Sequence, residues 1–231
     1  VNWGVSRAGD ILLAVGVDKD RDKDINYIYT RKNTDADWQL VKTIEAFKSE
    51  TFSPQIYDAK TNTVIVLSNH RENKEEVRKT ALWRFDISTG KYTERLSETP
   101  DNVDVTDAIT RLEGGEYKVV GYIYNDNFNR YVYFDKNKGA LAQQISGLFA
   151  KQGLQAFLWH WDQSEKRYIV GTVSDKNPSK YYLFDAATKK ITPWYGAYPD
   201  LEKSSLASVQ PFEFEAADGM KLHGYLTLPN E

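Results

Sequence analysis

Hydrophobic and polar residues alternate over short stretches along most of the chain, and polar turns separate these stretches. Four segments, 8–33, 61–96, 114–145 and 164–194, share one order of features. Each has a polar turn, a strand rich in Val, Ile or Leu, a charged loop, and an aromatic strand that usually closes on Asp. A second turn and a further strand follow. Alternation between turn residues predicts β-strands.

The closing aspartates are regularly spaced, which identifies the segments as repeats. Asp86 and Asp135 are 49 residues apart, Asp135 and Asp185 are 50 apart, and Arg31 stands at the matching place in the first repeat. A short apolar piece precedes each repeat: NWGVS, TFSPQI, DVTDAIT and LQAFLWHW. Four strands per repeat at this period are typical of β-propeller blades. We therefore predict an all-β fold, a partial β-propeller of about four four-stranded blades.

The segments around the closing aspartates predict tight turns. ISTGK and AATKK lie where antiparallel strands must reverse. Gly90 and Gly139 can take positive φ at low cost. An Asp before a turn can accept hydrogen bonds from the turn amides. This favours a structural role over a catalytic one for Asp86, Asp135 and Asp185.

Composition agrees with an ordered, strand-rich protein. Of the 231 residues 41% are hydrophobic and 13% aromatic, and the net charge is −3. The balanced charge without a basic stripe argues against nucleic acid as a partner. No apolar run approaches the roughly 20 residues that span a bilayer, so no membrane partner is expected. No long amphipathic helix is predicted, and the best candidate for a helical turn lies near 146–153.

The sequence contains no cysteine. This excludes disulfides, thiolate metal sites and a cysteine nucleophile. It does not distinguish a cytoplasmic location from a periplasmic or secreted one, so the compartment is left open.

The segment FEFEAADGMKLHGYLTLPNE, residues 212–231, predicts a β-hairpin. Two alternating runs flank the turn pair Asp218-Gly219, and Pro229 closes the second strand because proline cannot donate to a ladder. Such a hairpin is unexpected at the end of a repeat array, since it breaks the repeat period. We expect both ends of the chain to lie inside a longer polypeptide.

This hairpin resembles the opening of the catalytic domain in the prolyl oligopeptidase family of serine peptidases. In that family an apolar-aromatic strand, an Asp-Gly turn and a Leu-x-Gly-Tyr-Leu-x-x-Pro strand begin the α/β-hydrolase domain. The matching residues here are Phe212, Phe214, Asp218, Gly219, Leu222, Gly224, Tyr225, Leu226 and Pro229. A propeller precedes this hairpin in the family, and the acylaminoacyl-peptidase and dipeptidyl-peptidase branches are the ones resembled most.

The resemblance implies a division of the chain into three parts. Residues 1–194 would be propeller blades, 195–208 a linker, and 209–231 the start of a truncated α/β-hydrolase catalytic domain. The implied function is that of a non-catalytic, substrate-gating propeller in a serine peptidase that hydrolyses short peptides. The implied partners are the missing catalytic domain of the same polypeptide and a short peptide substrate. Open blade edges also predict self-association.

Two other functions stay open on the sequence alone. The first alternative is a stand-alone β-propeller that serves as a protein-interaction module. It would be favoured by recurring Gly-His and Trp-Asp dipeptides, but Trp161-Asp162 does not recur. The second is a propeller enzyme that acts on sugars within its own channel, which needs carboxylates converging from several blades.

No catalytic, cofactor-binding or metal-binding residue is predicted in this chain. The nucleophile elbow Gly-x-Ser-x-Gly does not occur in the sequence. In the family the catalytic Ser, Asp and His all follow the hairpin, so none of them maps onto His70, His160 or His223. The chain alone is therefore expected to be inactive.

The acidic stretch DKDRDKDIN is interpreted as a solvated loop between strands. Closely spaced carboxylates can form a calcium loop, but Lys23 and Tyr29 stand where the EF-hand template needs Gly and Glu. The acidic residues in question are Asp18, Asp20, Asp22 and Asp24.

The charged stretch NHRENKEEVRK, 69–79, is also interpreted as an exposed loop. Arg71 and Glu72 could bind a peptide terminus, since arginine pairs bidentately with a carboxylate. No motif fixes that role, so neither residue is assigned to a site.

Two aromatic stretches are interpreted as blade packing. In WHWD, alternation places Trp159 and Trp161 on one face and His160 on the other. In YIYNDNFNRYVYFD, it places Tyr122 and Tyr124 on one face. Ligand stacking is the alternative for the Trp pair, and a binding surface is the alternative for the Tyr-rich stretch.

Overall fold

The computed structural model describes residues 2–5, 9–20, 23–45, 50–58, 60–73, 76, 78–113 and 115–230. The chain forms two compact units, Val1–Phe134 and Asp135–Glu231. Each unit is built from antiparallel sheets whose strands follow one another in chain order.

The described residues of unit 1 form three sheets. The first consists of β1 (Asn2–Val5), β2 (Ile11–Asp20), β3 (Lys23–Thr30) and β4 (Gln39–Glu45). The second consists of β5 (Ser53–Asp58), β6 (Thr63–Ser68), β7 (Ala81–Asp86) and β8 (Lys91–Arg95). The third consists of β9 (Val105–Glu113), β10 (Glu116–Asn125) and β11 (Asn129–Tyr133).

Unit 2 contains a helix, one four-stranded sheet and a hairpin. The helix α1 (Lys136–Ala150) precedes the sheet of β12 (Gln155–Trp161), β13 (Arg167–Val173), β14 (Lys180–Asp185) and β15 (Lys190–Gly196). A 3-10 helix (Pro199–Lys203) leads to the hairpin of β16 (Val209–Glu215) and β17 (Lys221–Thr227). None of the helices in the described ranges is long and apolar enough to cross a membrane.

The predicted fold class is confirmed. The described part of the chain is nearly all β, and its four sheets other than the hairpin are consecutive antiparallel meanders of the kind that form propeller blades. The four apolar pieces identified in the sequence form the first strands of these sheets, β1, β5, β9 and β12.

Alternation along β7 explains why the sheets of unit 1 stack face to face. Trp83 and Phe85 point to one side, where they join Ile28 of the first sheet in a buried cluster. Leu82 points to the other side and packs against Val105 of the third sheet. The second sheet is therefore covered on both faces, which buries Leu82 completely and leaves Trp83 only 2% exposed.

Two of the closing aspartates have the predicted structural role. The Asp86 carboxylate accepts a hydrogen bond from the Thr89 amide at 3.1 Å, and the Asp185 carboxylate accepts one from the Thr188 amide at 2.8 Å. Gly90 takes a φ of 65°, as its turn requires. These aspartates hold the turns between the third and fourth strands of their sheets.

The prediction for the end of the third repeat is wrong, because a helix replaces the expected fourth strand. Asp135 caps α1: its side chain accepts a hydrogen bond from the Lys138 amide. Gly139 lies inside this helix instead of in a turn. Ala, Leu and Gln, which follow Asp135 in the run ALAQQI, are good helix formers, and a capping Asp satisfies a free amide of the first turn.

The prediction that Trp159 and Trp161 share one face is also wrong. The register of β12 against β13 shifts between Leu158 and His160, which marks a β-bulge. A bulge inserts one extra residue and reverses the alternation beyond it. Trp161 is buried, whereas Trp159 is 47% exposed and contacts Tyr181 at a ring distance of 4.7 Å.

Candidate functional site

The Glu50 carboxylate is the centre of a polar network in unit 1. Lys42 forms an ion pair with Oε1 of Glu50, and His70 Nδ1 lies 2.9 Å from Oε2. The Tyr92 hydroxyl donates to Oε1 at 3.1 Å. One carboxylate from the segment before β5 thus connects β4, β8 and the residues after β6.

The backbone beneath this network is fixed by a second set of hydrogen bonds. Thr51 and Asn69 exchange two of them: each backbone amide donates to the side-chain oxygen of the other residue, at 2.8 and 3.0 Å. Ser68 Oγ donates to the Thr51 carbonyl oxygen at 2.6 Å and accepts from the His70 amide at 3.1 Å. These bonds extend the β5–β6 pairing to Glu50 and His70 and hold them together.

Aromatic rings surround the charged groups. The imidazole of His70 stacks on the ring of Tyr92 with centroids 3.9 Å apart and an interplanar angle of 14°. The ring of Trp83 meets His70 edge-on at 5.2 Å. The Lys42 ammonium lies over three rings, those of Phe52, Phe85 and Tyr92, at 5.0 to 5.6 Å. The imidazole plane is therefore fixed by packing as well as by Glu50.

Burial and hydrogen bonding act in opposite directions on the Glu50 carboxyl. Burial by itself raises its pKa, but hydrogen bonds from Lys42, His70 and Tyr92 outweigh this, and the pKa is lowered overall. Burial, together with the nearby Glu50 charge, raises the pKa of Tyr92 above its ordinary value. At neutral pH Glu50 is ionised and Tyr92 remains a hydrogen-bond donor.

This arrangement is not a nucleophilic triad, although it contains Ser, His and Glu. Ser68 is fully buried, and its hydroxyl donates to the Thr51 carbonyl oxygen. Ser68 Oγ accepts a hydrogen bond from the backbone amide of His70. A general base would instead have to accept the serine proton with a ring nitrogen. The Glu50–His70 pair can orient an imidazole for binding, but among the described residues it activates no hydroxyl.

The network opens onto a cleft of about 210 Å³, which we call the His70 cleft. Its lining residues are Glu50, Asn69, His70, Arg71, Glu72, Asn73 and Arg78. Arg71 and Glu72, considered in the sequence as possible ligands for a peptide terminus, both line it. Sequence reasoning missed the Glu50–His70 pair, since no local motif joins residues that are 20 positions apart.

A larger cleft of about 910 Å³ is lined by residues of all three sheets of unit 1. Its wall combines apolar residues such as Ile65 and Val119 with two ion pairs. Lys60 Nζ lies 2.5 Å from Glu116 Oε1, and Arg84 Nε lies 3.0 Å from Glu94 Oε2. Because both pairs are closed and exposed, the cleft offers few unpaired polar groups at those positions to a ligand.

The acidic stretch is placed differently from the expected loop. β2 runs to Asp20 and β3 begins at Lys23, so Asp18 and Asp24 lie in paired strands. Arg21 and Asp22 fall outside the described residues. In the part of the chain that is described, no group of three His, Asp or Glu is placed to hold a metal ion.

The other sequence candidates are not brought together into a site. His160 is exposed in β12, and the side chain of His223 in β17 is 69% exposed, as its alternation predicted. The rings of Tyr122 and Tyr124 lie on one face with centroids 6.5 Å apart. The hydroxyl of Tyr122 bonds to the backbone of Glu98, which is a packing role.

The predicted hairpin is confirmed, with the turn where the sequence placed it. β16 pairs with β17 so that Phe212 lies opposite Gly224 and Phe214 opposite Leu222. Gly219 takes a φ of 83° in the turn. A Cβ atom at Gly224 would meet the Phe212 ring at 2.7 Å, so the glycine leaves room for that ring.

Four consecutive antiparallel sheets and a separate hairpin define a propeller-like, all-β class of protein. No protein-family model matches the chain, and no curated protein sequence matches it. Solved structures do. A putative dipeptidyl aminopeptidase IV from Bacteroides ovatus matches with a TM-score of 0.54 at 13% identity, over 99% of this chain and 34% of that chain.

Other similar structures also have low sequence identity to this chain and are much longer than it. Puromycin hydrolase matches with a TM-score of 0.48 at 13% identity, over 98% of this chain and 33% of that chain. A prolyl endopeptidase matches with a TM-score of 0.42 at 12% identity, over 92% of this chain and 30% of that chain. These neighbours are peptidases of the prolyl oligopeptidase family. The chain spans about a third of their length, and at this identity the likeness shows the fold.

Proposed function

We propose that this chain is the non-catalytic, substrate-gating propeller portion of a serine peptidase of the prolyl oligopeptidase family that hydrolyses short peptides. In this proposal residues 1–194 form blades, 195–208 a linker, and 209–231 the first hairpin of the catalytic domain. The acylaminoacyl-peptidase and dipeptidyl-peptidase types are the proposed branches.

The observation that carries the proposal is the order of elements. Propeller-type sheets come first, and the hairpin that resembles the start of an α/β-hydrolase domain comes last. The dipeptidyl aminopeptidase IV structure shares this fold over 99% of the chain while the chain covers 34% of it. A narrow propeller channel would admit extended peptides and exclude folded proteins without any special residue.

The isolated chain is expected to hydrolyse no aminoacyl or peptidyl p-nitrophenyl ester above the buffer rate. The reason is that it contains no Gly-x-Ser-x-Gly elbow, and its buried Ser68 has no ring nitrogen to activate it. Spectrophotometric release of nitrophenol measures the rate. Robust turnover that a serine-directed phosphonate abolishes would contradict the proposed non-catalytic role of this chain.

The gene itself provides the direct test of the proposal. An open reading frame that continues past the codon for Glu231, with Gly-x-Ser-x-Gly followed by Asp and His, is the expected result. A stop codon directly after Glu231 would overturn it. The stand-alone interaction module would then become the better account.

Self-association of the isolated chain is also expected. Exposed aromatic side chains lie at the first sheet, where the ring centroids of Trp3 in β1 and of Trp38 in the loop before β4 are 6.2 Å apart, and on the fourth sheet, where Trp159 is exposed. Unpaired sheet edges and apolar surface both favour pairing with another chain. Light scattering should show a mass that rises with concentration above that of one chain.

Two matched substitutions distinguish association through the sheets from non-specific hydrophobic association. Trp159→Ser should reduce it, whereas Phe128→Ser, which removes an exposed ring from the loop between β10 and β11, should leave it unchanged. A monodisperse monomer at high concentration would count against open blades.

A further inference from the structure

We propose that the large cleft of unit 1, which we call the three-sheet cleft, binds a fatty acid, a single carboxylate on a long unbranched apolar tail. The cleft has a volume of about 910 Å³ and is lined by residues of all three sheets of the unit. Small-molecule sites have volumes of about 300–1,000 Å³, so the cleft is large enough to enclose such a ligand. The inference concerns this cleft alone and does not depend on the proposed peptidase function.

The group that binds the carboxylate is the guanidinium of Arg95, at the end of β8. Its Nε atom is buried and has no hydrogen-bond partner. Its Cζ atom lies 5.6 Å from the centre of the Trp83 ring, which orients the guanidinium. A buried N–H without an acceptor costs free energy, and a ligand oxygen at the guanidinium offsets that cost. A carboxylate suits this position because it can accept two parallel N–H bonds from one arginine.

The charges in the cleft lining favour an anion over a cation. Four basic and three acidic residues line the cleft, and the two ion pairs described above neutralise two of each. The remaining carboxylate, that of Asp58, accepts from the Lys60 amide at 2.9 Å and from the Thr61 hydroxyl at 2.8 Å. Arg95 and Lys118 are the remaining cations, and neither forms an ion pair with a described residue. The lining therefore has an excess of one positive charge.

The charged residues of the neighbouring strand β9 do not change this excess. Arg111 lies opposite Lys118 in the register of β9 and β10, and Glu113 lies opposite Glu116. Their charges have opposite signs, so together they add nothing to the balance. A ligand with one negative charge matches the cleft, whereas an alkylammonium group is repelled by it.

The apolar part of the lining extends along the cleft and suits a long tail. Leu12 belongs to the first sheet, Ile56 and Ile65 to the second, and Val119 to the third. Leu96 directly follows Arg95, so apolar surface begins beside the guanidinium. Sheets that stack face to face lie about 10 Å apart, so a cleft that reaches three of them extends over about 20 Å. An extended tail fills this shape better than a compact group does.

The test is calorimetric titration of the full chain with decanoate below its micelle concentration. We expect saturable binding with a dissociation constant on the order of 0.1 mM. Hexanoate, which is about four methylenes shorter, should bind about a hundredfold more weakly, as measured by displacement of decanoate. Decyltrimethylammonium has a tail of the same length and the opposite charge, so its binding should be about tenfold weaker or less.

Two arginine substitutions locate the carboxylate. Arg95→Gln should weaken decanoate binding about tenfold, since a charge-assisted pair is lost. Arg130→Gln removes the same charge from an exposed arginine that pairs with Asp126 outside the cleft lining, and binding should stay within about twofold. A cooperative urea transition in each variant shows that it is folded. Glutamine at position 95 also removes the buried N–H that has no acceptor, so we expect this variant to fold.

Two ring substitutions locate the tail. Tyr117 in β10 lines the cleft and is 55% exposed, and Phe128 in the loop after β10 is equally exposed but lies outside the lining. Tyr117→Ser should weaken decanoate binding about fivefold, because apolar contact area is lost. Phe128→Ser should leave it unchanged.

The inference is wrong if decanoate gives no saturable heat, or if decyltrimethylammonium binds as tightly as decanoate does. It is also wrong if the two arginine variants lose equal affinity, since the charge of Arg95 then has no particular role. Equal losses in the two ring variants would show that the tail binds to exposed aromatic side chains in general instead of to the three-sheet cleft.

Discussion

Replacement of Glu50 by alanine is expected to lower the free energy of unfolding by about 2–3 kcal/mol. The carboxylate accepts from Lys42, His70 and Tyr92 at once. Its removal leaves the Lys42 ammonium beneath aromatic rings without its acceptor, and it leaves the half-buried Tyr92 hydroxyl with Ser68 Oγ as its remaining partner. Urea denaturation at neutral pH, followed by tryptophan fluorescence, measures the loss.

The matched control is Glu94→Ala. Glu94 also forms an ion pair, with Arg84, but its side chain is 57% exposed. Exposed pairs of this kind contribute about 0–1 kcal/mol, so this variant should unfold close to the wild-type midpoint. Equal losses in the two variants would show that the Glu50 network does not stabilise the sheets.

The same carboxylate predicts a pH dependence with a definite sign. The pKa of Glu50 is lowered in the folded chain, so its contribution is fully present above the unfolded value, about 4.3 for glutamate. That contribution is lost as the pH falls through the folded pKa. The stability gap between wild type and Glu50→Ala should therefore shrink between pH 6 and strongly acidic pH. A gap that widens in acid would contradict the assignment.

Alternation and turn chemistry were sufficient to predict most of the strands. β6, β7, β13 and β14 consist of the Val, Ile, Leu and aromatic runs that the repeats displayed. Asp86 and Asp185 hold their turns through bonds to residues three positions later, which is information contained in the local sequence. The hairpin turn at Asp218-Gly219 was predictable for the same reason.

The features that the repeat pattern did not predict have physical causes. The run after Asp135 stands where the other repeats have a strand, but its intrinsic preference and its cap favour α1. The bulge in β12 reverses the exposure of Trp159, and nothing in WHWD marks it. The His70 cleft depends on β5–β6 pairing to bring Glu50 and His70 together, so only the folded sheet reveals it.

Two glycines that look alike in sequence should respond in opposite ways to alanine. Gly121 in β10 pairs with Tyr133 of β11, and a methyl group there would overlap the Val132 carbonyl oxygen. Backbone cannot move aside as a side chain can, so Gly121→Ala should cost about 3 kcal/mol. Gly139 lies in α1 with open space around its Cβ position.

For Gly139→Ala the expected change is a gain of about 0.5–1 kcal/mol, because alanine loses less backbone entropy in a helix. Urea midpoints of the two variants, measured with the wild type, test both signs. A gain at Gly121 would mean that β10 and β11 are not paired in this register. A loss at Gly139 would mean that residues after Asp135 do not form a helix, and a fourth strand of the third sheet would again be the better account. Gly139 therefore tests the helix that stands where the third repeat was expected to have its fourth strand.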